Sequence, residues 1–590
     1  MSEQNANSEI KLLEANISKK SKSYLLSGRE KKVSGGQIFF TENLDSQSIL
    51  TCKQRMPYAI AAFLLCYLII VVKIFYACLS SGIVISGFED INRENITVIA
   101  PVSRADIVDI NGTIIATSLP TVNLQVAPKP KIKDPEKLAQ KLAYIFPDED
   151  YETILKKLKK QRYNDIKRNL SPAQQAAVNN LGIPALEFVK SQARIYPHDN
   201  LFSHIIGYTD IDNFGISGIE KSMHNRLTQS TKALQLTINT TVQDTIREEL
   251  GKAIVKYKAL GATAILMDTT NGEVISMVSL PDYNPNIKIP VGDRAMFNFA
   301  TQGVYEAGSV FKTFNTALGL ESKKIKVSDK FDATEPLKLK GITVSDYRGE
   351  NRWLSVGEIL IHSSNIGSAQ IILRVGKEKQ REFLLNLGFS EKLSEFEVYE
   401  KAKPLFPAQK DWHEHTMAAV SYGYSLSATP LHIISAFNAM INGGIYYYPT
   451  IIKSSNVPSP RRVISENTSK KMIPLLRDVV VKGSAKSANI DGYQVIGKTG
   501  TANKLVNGRY VQKKVMTSFL SAFPADSPKY SLLVVLDEPK GDDTFGFVTS
   551  GWNAAPTGGN IIKAIAPQLN IPADFTLDEQ RKHIKASFEK

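Results

Sequence analysis

Cysteine is almost absent from this chain of 590 residues. The three cysteines, Cys52, Cys66 and Cys78, lie in or beside one hydrophobic stretch, and no cysteine follows Cys78. A disulfide framework and a thiolate metal site are therefore excluded from the long part of the chain after that stretch. That part could occupy an oxidising compartment without redox consequences.

The sequence also lacks the patterns that are typical of nucleic-acid-binding proteins. Its formal net charge is +14, but it has no zinc finger, no recognition helix with a basic arm and no aromatic-rich RNA-binding sheet. The composition has no collagen-like or disordered bias, and the length suits two or three domains. We interpret the positive charge as a solvated surface that faces membrane or cell-wall anions, and we expect no nucleic-acid partner.

One long hydrophobic run is present, MPYAIAAFLLCYLIIVVKIFYACL, at residues 56–79. Its length suits a helix that crosses about 30 Å of hydrocarbon, and it is apolar on every face, unlike a surface helix. Residues 1–55 carry nine Lys and Arg, whereas acidic residues prevail in GFEDINREN after the run. The pattern predicts an uncleaved single-pass anchor at 56–79, with a cytoplasmic tail at 1–55 and an exported body.

The patterning of the exported part changes along the chain. Residues 95–125 alternate β-branched residues around a turn at Asn111-Gly112, and residues 134–190 have helical periodicity with Asp or Ser caps. Helical segments dominate 305–450, and strands return between 493 and 538. Strands, then helices, then strands, without a repeating βαβ unit, predict an α+β fold in which helices pack an antiparallel sheet.

A serine and a lysine three residues apart are a candidate nucleophile and base. In YEAGSVFKTF, Gly308 supplies a turn, and the residues that follow predict a helix with Ser309 at its entrance and Lys312 on the same side. The N–H groups of a helix N-terminus can bind an oxyanion. An amine among apolar neighbours favours its neutral form, which a serine nucleophile needs as a base. The alternative is that Ser309 is only an N-cap.

Two further patterns follow in the same apparent domain. IHSSNIG contains Ser363 and Asn365 between helical segments, and IGKTGTA contains Lys498 on a predicted strand. S-x-x-K and S-x-N also occur elsewhere in the chain, so one match of either has little weight, whereas K-T-G occurs once. The ordered set of all three is the pattern of the penicillin-recognising serine acyltransferases.

The chain resembles the class B penicillin-binding proteins from the hydrophobic run to about residue 565. SRADIVDINGTIIATS, ARIYP and GISGIE are similar to the motifs of the family's pedestal domain. SYGYSLSATPLHI and the segment from GKTGTANK to FPADSPKY resemble the cell-division branch, the FtsI type. One departure is Ala307, where many members have proline. The matching pedestal residues are Arg104, Asp109, Gly112, Arg194, Tyr196, Pro197, Gly218 and Glu220.

The resemblance implies a domain order and a location. A class B pedestal domain of the dimerisation type is expected at 84–230, and a transpeptidase domain with the penicillin-binding, β-lactamase-like fold at 231–570. A charged tail is expected at 571–590. The protein would lie in the inner membrane of a bacterium at the division site, with its catalytic domain in the periplasm. An FtsW-type glycan polymerase and other division proteins are the partners that the resemblance implies.

The resemblance also implies a reaction, the cross-linking of peptidoglycan stem pentapeptides through an acyl-enzyme on Ser309. Lys312 would be the base for acylation, and β-lactam antibiotics would acylate the same serine. Ser363 and Asn365 would pass a proton to the leaving amine and hold the donor amide, and Lys498 would tune that proton relay. No metal or organic cofactor is expected.

For substrate binding, the resemblance implies roles for three residues after Lys498. Thr499 and Thr501 would bind the terminal carboxylate of the donor, and Gly500 would let the donor lie against the strand. The backbone N–H groups of Ser309 and Thr501 would form the oxyanion hole.

Three other functions remain open at this point. An elongation-type class B transpeptidase would use the same residues. A carboxypeptidase or β-lactamase would pass the acyl group to water, but it would not need the extra pedestal domain. The third is a non-catalytic penicillin sensor or division scaffold. A sensor should have more membrane spans or a substantial cytoplasmic effector domain, and 55 tail residues leave little room for one.

Overall fold

The computed structural model describes residues 57–58, 61, 63–73, 104–160, 162–453, 458–506, 509–541 and 548–575. The chain divides into two units, Met1–Val98 and Ile99–Lys590. In the first unit residues 63–73 are helical, and the described residues include no helix long and apolar enough to span a membrane. The predicted tail at 1–55 lies outside the described residues, as do much of the anchor at 56–79 and most of the charged tail at 571–590.

The second unit contains both strands and helices, which we number in chain order. The strands are β1 (Ile107–Val108), β2 (Ile114–Val126), β3 (Asn164–Leu170), β4 (Leu186–Ile195), β5 (Leu234–Gln235), β6 (Gly261–Asp268), β7 (Val274–Leu280), β8 (Lys330–Asp332), β9 (Leu337–Leu339), β10 (Ile342–Val344), β11 (Trp353–Ser355), β12 (Ile445–Tyr446), β13 (Arg461–Arg462), β14 (Ile496–Val506), β15 (Arg509–Phe523) and β16 (Tyr530–Asp537).

The helices are α1 (Pro135–Ile145), α2 (Tyr151–Lys159), α3 (Pro172–Asn179), α4 (Ser203–Ile206), α5 (Gly218–Ser222), α6 (His224–Gln229), α7 (Thr240–Tyr257), α8 (Phe311–Glu321), α9 (Val356–Ile361), α10 (Asn365–Val375), α11 (Lys377–Asn386), α12 (Glu414–Ser421), α13 (Pro430–Ile441), α14 (Glu466–Lys482) and α15 (Ala554–Ile565). Short 3₁₀ turns connect several of these elements.

The N-terminal part of the second unit is built on a small sheet in the order β3-β2-β1-β5, with β4 also paired to β2. Helices α1 to α3 begin at side-chain caps, which are Asp134, Asp150 and Ser171. These caps confirm the three predicted helices within 134–190, because each side chain accepts a backbone N–H of the first turn. The range is not helical throughout, however, since β3 and the start of β4 also lie in it. Side chains of β2, β3 and β4 and of the three helices form a separate hydrophobic core.

The C-terminal part is built on a five-stranded sheet in the order β14-β15-β16-β6-β7, and all of its pairings are antiparallel. Every residue of β16 is buried, so both faces of the sheet are covered by other elements. Helices α7 and α15 pack on each other and on strands of this sheet, and α13 packs on β6 and β16. The predicted α+β architecture, an antiparallel sheet packed by helices, is confirmed.

One large core joins the two parts of this unit. From the N-terminal part it contains Ile107 of β1, Leu234 of β5 and Phe202, which precedes α4. From the C-terminal part it contains the buried side chains of the five-stranded sheet and its helices. The elements at the base of the predicted pedestal therefore share a core with the predicted transpeptidase domain. The boundary at 230–231 stays a prediction.

A buried ion triad holds the pedestal motifs together. The Glu220 carboxylate accepts from Arg104 Nε at 2.8 Å and from Arg194 Nε at 2.6 Å, and the three side chains are 0–1% exposed. The Arg104 guanidinium also donates to the backbone oxygens of Asn213 and Glu220. Three sequence motifs that are far apart in the chain thus meet at one carboxylate.

We expect Glu220→Gln to destabilise this region strongly. The substitution keeps the shape of the side chain but leaves two buried guanidinium groups without their counter-charge, at a cost of about 3–5 kcal/mol. Urea denaturation of the variant should give a clearly lower midpoint than that of the unchanged protein. The matched control is Glu136→Gln, which removes the exposed Lys159–Glu136 pair and should leave the midpoint almost unchanged, because solvent screens such a pair. Equal midpoints for the two variants would contradict the prediction.

Candidate active site

The candidate nucleophile lies in a 3₁₀ turn, Gly308–Val310, that runs directly into α8. Gly308 has a φ of +56°, and a Cβ at this position would lie 2.6 Å from the backbone oxygen of Thr501. Its N–H donates to the backbone oxygen of Gly423 at 3.1 Å. Only glycine allows this backbone conformation and so close an approach to β14, and the turn thereby places Ser309 beside the K-T-G strand.

Lys312 lies in the first turn of α8, a helix whose residues from Phe311 to Leu320 are all buried. The Lys312 side chain is itself fully buried. Its Nζ donates to Ser309 Oγ at 2.7 Å and to Asn365 Oδ1 at 2.8 Å, and it lies 3.3 Å from Ser363 Oγ. One amine therefore connects the nucleophile with both residues of the S-x-N pattern.

Ser363 lies in the connection between α9 and α10 and has a φ of +59°. A left-handed backbone is costly for a serine, and such strain persists only where the surrounding structure imposes it. The result is that Ser363 Oγ lies between two amines, Lys312 Nζ at 3.3 Å and Lys498 Nζ at 3.0 Å. The sequence prediction of a spatial cluster from three distant segments agrees with these distances.

The side chains of Lys312 and Lys498 are both fully buried. Burial lowers the pKa of the Lys312 ammonium well below its ordinary value, the positive charge of Lys498 lowers it further, and the Asp346 carboxylate opposes both effects. Burial also lowers the pKa of Lys498, to about 7. Like charges disfavour each other in a low-dielectric site. The state in which both amines are protonated is therefore unfavourable at neutral pH.

The remaining predicted residues lie along β14, where its neighbour is β15. Thr499 Oγ1 lies 2.5 Å from Ser484 Oγ, and Thr501 Oγ1 accepts from the backbone N–H of Ser550 at 3.1 Å. A Cβ on Gly500 would lie 2.5 Å from the backbone oxygen of Ala307. Gly500 is therefore required for the contact between the nucleophile turn and β14, a reason that the sequence did not suggest.

Sequence reasoning missed four residues that support this cluster. Asp346 and Ser345 hold the start of α10, and Ser484 and Ser550 contact the threonines of β14. None of the four belongs to a recognisable motif, so no pattern in one sequence could have identified them. Within the part of the chain that the structure describes, no group of three or more His, Cys, Asp or Glu side chains could hold a metal ion.

Comparisons with known proteins identify the family. Residues 262–561 match the model of the penicillin-binding protein transpeptidase domain, and residues 99–252 match that of the penicillin-binding protein dimerisation domain. The "Probable peptidoglycan D,D-transpeptidase FtsI" of Caulobacter vibrioides is 35% identical over 489 residues, which are 80% of this chain and 82% of that protein. The chain belongs to the class B penicillin-binding proteins of the FtsI type.

Two further relatives of this penicillin-binding protein match over most of their length. "Peptidoglycan D,D-transpeptidase FtsI" of Escherichia coli is 26% identical over 507 residues, 80% of this chain and 84% of that protein. "Stage V sporulation protein D" of Bacillus subtilis is 28% identical over 570 residues, 89% of this chain and 87% of that protein. This penicillin-binding protein is accordingly a peptidoglycan D,D-transpeptidase.

Solved structures share its fold. Penicillin-binding protein 3 of Mycobacterium tuberculosis, crystallised with aztreonam, gives a TM-score of 0.64 at 22% identity and covers 80% of this chain and 98% of its own. A peptidoglycan synthetase of Bifidobacterium adolescentis gives a TM-score of 0.65 at 21% identity, with coverage of 80% and 96%. The predicted transpeptidase fold with a pedestal domain is confirmed.

We expect Gly308→Ala to slow acylation by a β-lactam about 100-fold, because the new Cβ would push the nucleophile turn away from β14. The rate is measured with purified full-length protein under pseudo-first-order conditions. Gly182→Ala is the matched control, since Gly182 has a φ of +60° but a Cβ added there would have nothing within 4 Å. That variant should be acylated at the unchanged rate. A Gly308→Ala rate equal to that of the control would show that the contact with β14 does not position Ser309.

Proposed function

We propose that this transpeptidase cross-links peptidoglycan at the division septum through an acyl-enzyme on Ser309. The observation that supports it is the convergence of Ser309, Lys312, Ser363 and Lys498, in which neighbouring side chains are 2.7–3.3 Å apart. An alcohol next to a buried amine of lowered pKa is the arrangement of an activated serine nucleophile.

In the first half-reaction, the neutral Lys312 Nζ accepts the proton of Ser309 Oγ as that oxygen attacks the carbonyl between two D-alanines. The tetrahedral intermediate then loses the amine of the terminal D-alanine. The proton reaches that amine through Ser363, whose hydroxyl is within hydrogen-bond distance of both lysines. The products are an ester on Ser309 and free D-alanine.

In the second half-reaction, an amine of a neighbouring stem peptide attacks the ester carbonyl. The amine loses its proton to the same group of side chains as Ser309 Oγ leaves and is protonated again. An amide cross-link forms, and the enzyme returns to its starting state. No redox step or external proton source is involved, because the proton taken in acylation is replaced by the proton of the acceptor amine.

Charge distribution supports different tasks for the two lysines. Burial holds the pKa of Lys312 well below its ordinary value, which favours the neutral form that a base requires. Lys498, with a pKa of about 7, retains charge on part of the molecules at neutral pH and favours transfer of the Ser363 proton towards the leaving amine. Asn365 binds the donor amide in this proposal, with Oδ1 held next to Lys312.

The donor peptide would lie along β14. Thr499 and Thr501 would bind its terminal carboxylate through hydroxyl groups that in the present structure contact Ser484 and the N–H of Ser550. The backbone N–H groups of Ser309 and Thr501 would stabilise the tetrahedral oxyanion, a contribution of roughly 3 kcal/mol per donor.

The septal role and the membrane topology are further parts of the proposal. The names of the FtsI relatives favour the division branch, as do SYGYSLSATPLHI and the segment from GKTGTANK to FPADSPKY. The apolar run at 56–79, with nine Lys and Arg before it, favours a single-pass anchor in the inner membrane with the catalytic part in the periplasm. An FtsW-type glycan polymerase is the partner we propose on the same grounds.

Mapping of the penicillin adduct tests the acyl-enzyme. Incubation of full-length protein with benzylpenicillin should add one penicilloyl group, and peptide mapping should locate it on Ser309. Ser309→Ala should remain unlabelled, whereas Ser171→Ala, which removes an exposed helix cap, should be labelled as the unchanged protein is. A label on another residue, or labelling of Ser309→Ala, would contradict the assignment.

Replacement in cells tests the septal role. A fluorescent fusion of the full chain should collect at midcell, and its Ser309→Ala variant should localise there without restoring division after depletion of the native protein. Distribution along the lateral wall would favour the elongation-type enzyme instead. Division supported by Ser309→Ala would favour a non-catalytic scaffold.

A further inference from the structure

The segment between β10 and β11 holds the S-x-N motif through one carboxylate. Asp346 accepts from Ser364 Oγ at 2.7 Å, from the Asn365 N–H at 2.5 Å and from the Ile366 N–H at 3.0 Å. The last two donors are at the N-terminus of α10, which has eleven residues. A carboxylate at this end of a helix satisfies free N–H groups and interacts favourably with the helix dipole.

The neighbouring residue sets the orientation of the catalytic amide. Asn365 Nδ2 donates to the backbone oxygen of Ser345 at 2.9 Å, and Asn365 Oδ1 accepts from Lys312 Nζ at 2.8 Å. The hydrogen bond to Ser345 thus turns the amide oxygen towards the amine. Residues 345–346 thus bind residues 364–366, which directly follow the strained Ser363. Loss of this attachment would remove a constraint on the Ser363 backbone, whose φ is +59°.

Asp346 also contributes charge at the site. The charged groups that act on Lys312 among the described residues are Lys498, which lowers its pKa, and Asp346, which raises it. Two other titratable groups belong to the same segments, Glu350 between β10 and β11 and His362 directly before Ser363, and they are paired with each other at 3.0 Å. Asp346 is therefore the negative charge that offsets Lys498 at Lys312.

We propose that Asp346 is a positioning residue of the transpeptidase, which fixes the orientation of Ser363 and Asn365 and supplies the negative charge that faces Lys312. The proposal rests on the proposed role of Lys312 as base. The carboxylate does not touch the substrate in this account and acts only through the motif that it holds.

The test is the pH dependence of acylation by benzylpenicillin, measured with full-length protein. The neutral form of Lys312 acts as base, so the acidic limb of the rate profile follows its pKa. Asp346→Asn keeps an oxygen that accepts from the α10 N–H groups but removes the charge. The ammonium of Lys312 then loses a stabilising partner, its pKa falls, and the acidic limb moves to lower pH.

Two further variants separate charge from attachment. Lys498→Met removes the opposite charge, so the acidic limb should move to higher pH. Asp346→Ala removes the attachment as well, and its plateau rate should fall on the order of tenfold or more, with most of the loss restored in Asp346→Asn. The direction of the Asp346→Asn shift should persist in a His362→Gln background, which excludes titration of that imidazole as the cause.

Asp332→Asn is the matched control. Asp332 Oδ1 also accepts from a backbone N–H and a hydroxyl two residues later, those of Thr334, but it is not among the charges that act on Lys312. Its profile should equal that of the unchanged protein. An unshifted limb in Asp346→Asn, or an undiminished plateau in Asp346→Ala, would overturn the proposal. Absence of any adduct on Ser309 in the unchanged protein would instead contradict the proposed function.

Discussion

The active site depends on two buried amines, Lys312 Nζ and Lys498 Nζ, which are separated by one hydroxyl group, that of Ser363. The hydrogen-bond partners of Lys312 and Lys498 are hydroxyl groups, an amide oxygen and a backbone oxygen, none of them charged. Each amine would be solvated and protonated if it were exposed. Burial and mutual repulsion disfavour the state in which both amines are protonated. The folded structure therefore favours a neutral amine next to Ser309.

The fold provides this burial by assembling the site from rigid elements. Helix α8 is enclosed on every side, β14 is a strand of the central sheet, and α10 begins next to both. Gly308, Gly423 and Gly500 let the nucleophile turn approach β14 and the α12 end more closely than any side chain would permit. A site on such elements keeps its geometry before substrate arrives, which is what preorganised catalysis requires.

Much of this could be predicted from the sequence. Apolar periodicity and caps indicated the helices of 134–190, the segregated strands and helices indicated an α+β fold, and three spaced motifs indicated which side chains would converge. Asp346 could not be predicted, because its position depends on how the loop between β10 and β11 folds over α10. The close contact between Gly500 and the backbone of Ala307 could not be predicted either. A glycine in a strand is compatible with a close approach of protein backbone as well as of substrate. Tertiary contacts decide both cases.

The most direct test of the central claim is the protonation state of Lys312 itself. In full-length protein with ¹³Cε-labelled lysine, the Lys312 resonance can be assigned by its loss in Lys312→Arg and followed by NMR as the pH is raised. We expect Lys312 to titrate well below the pH range of exposed lysines. A Lys312 that stays protonated up to the ordinary pKa of lysine, about 10.4, would contradict the account.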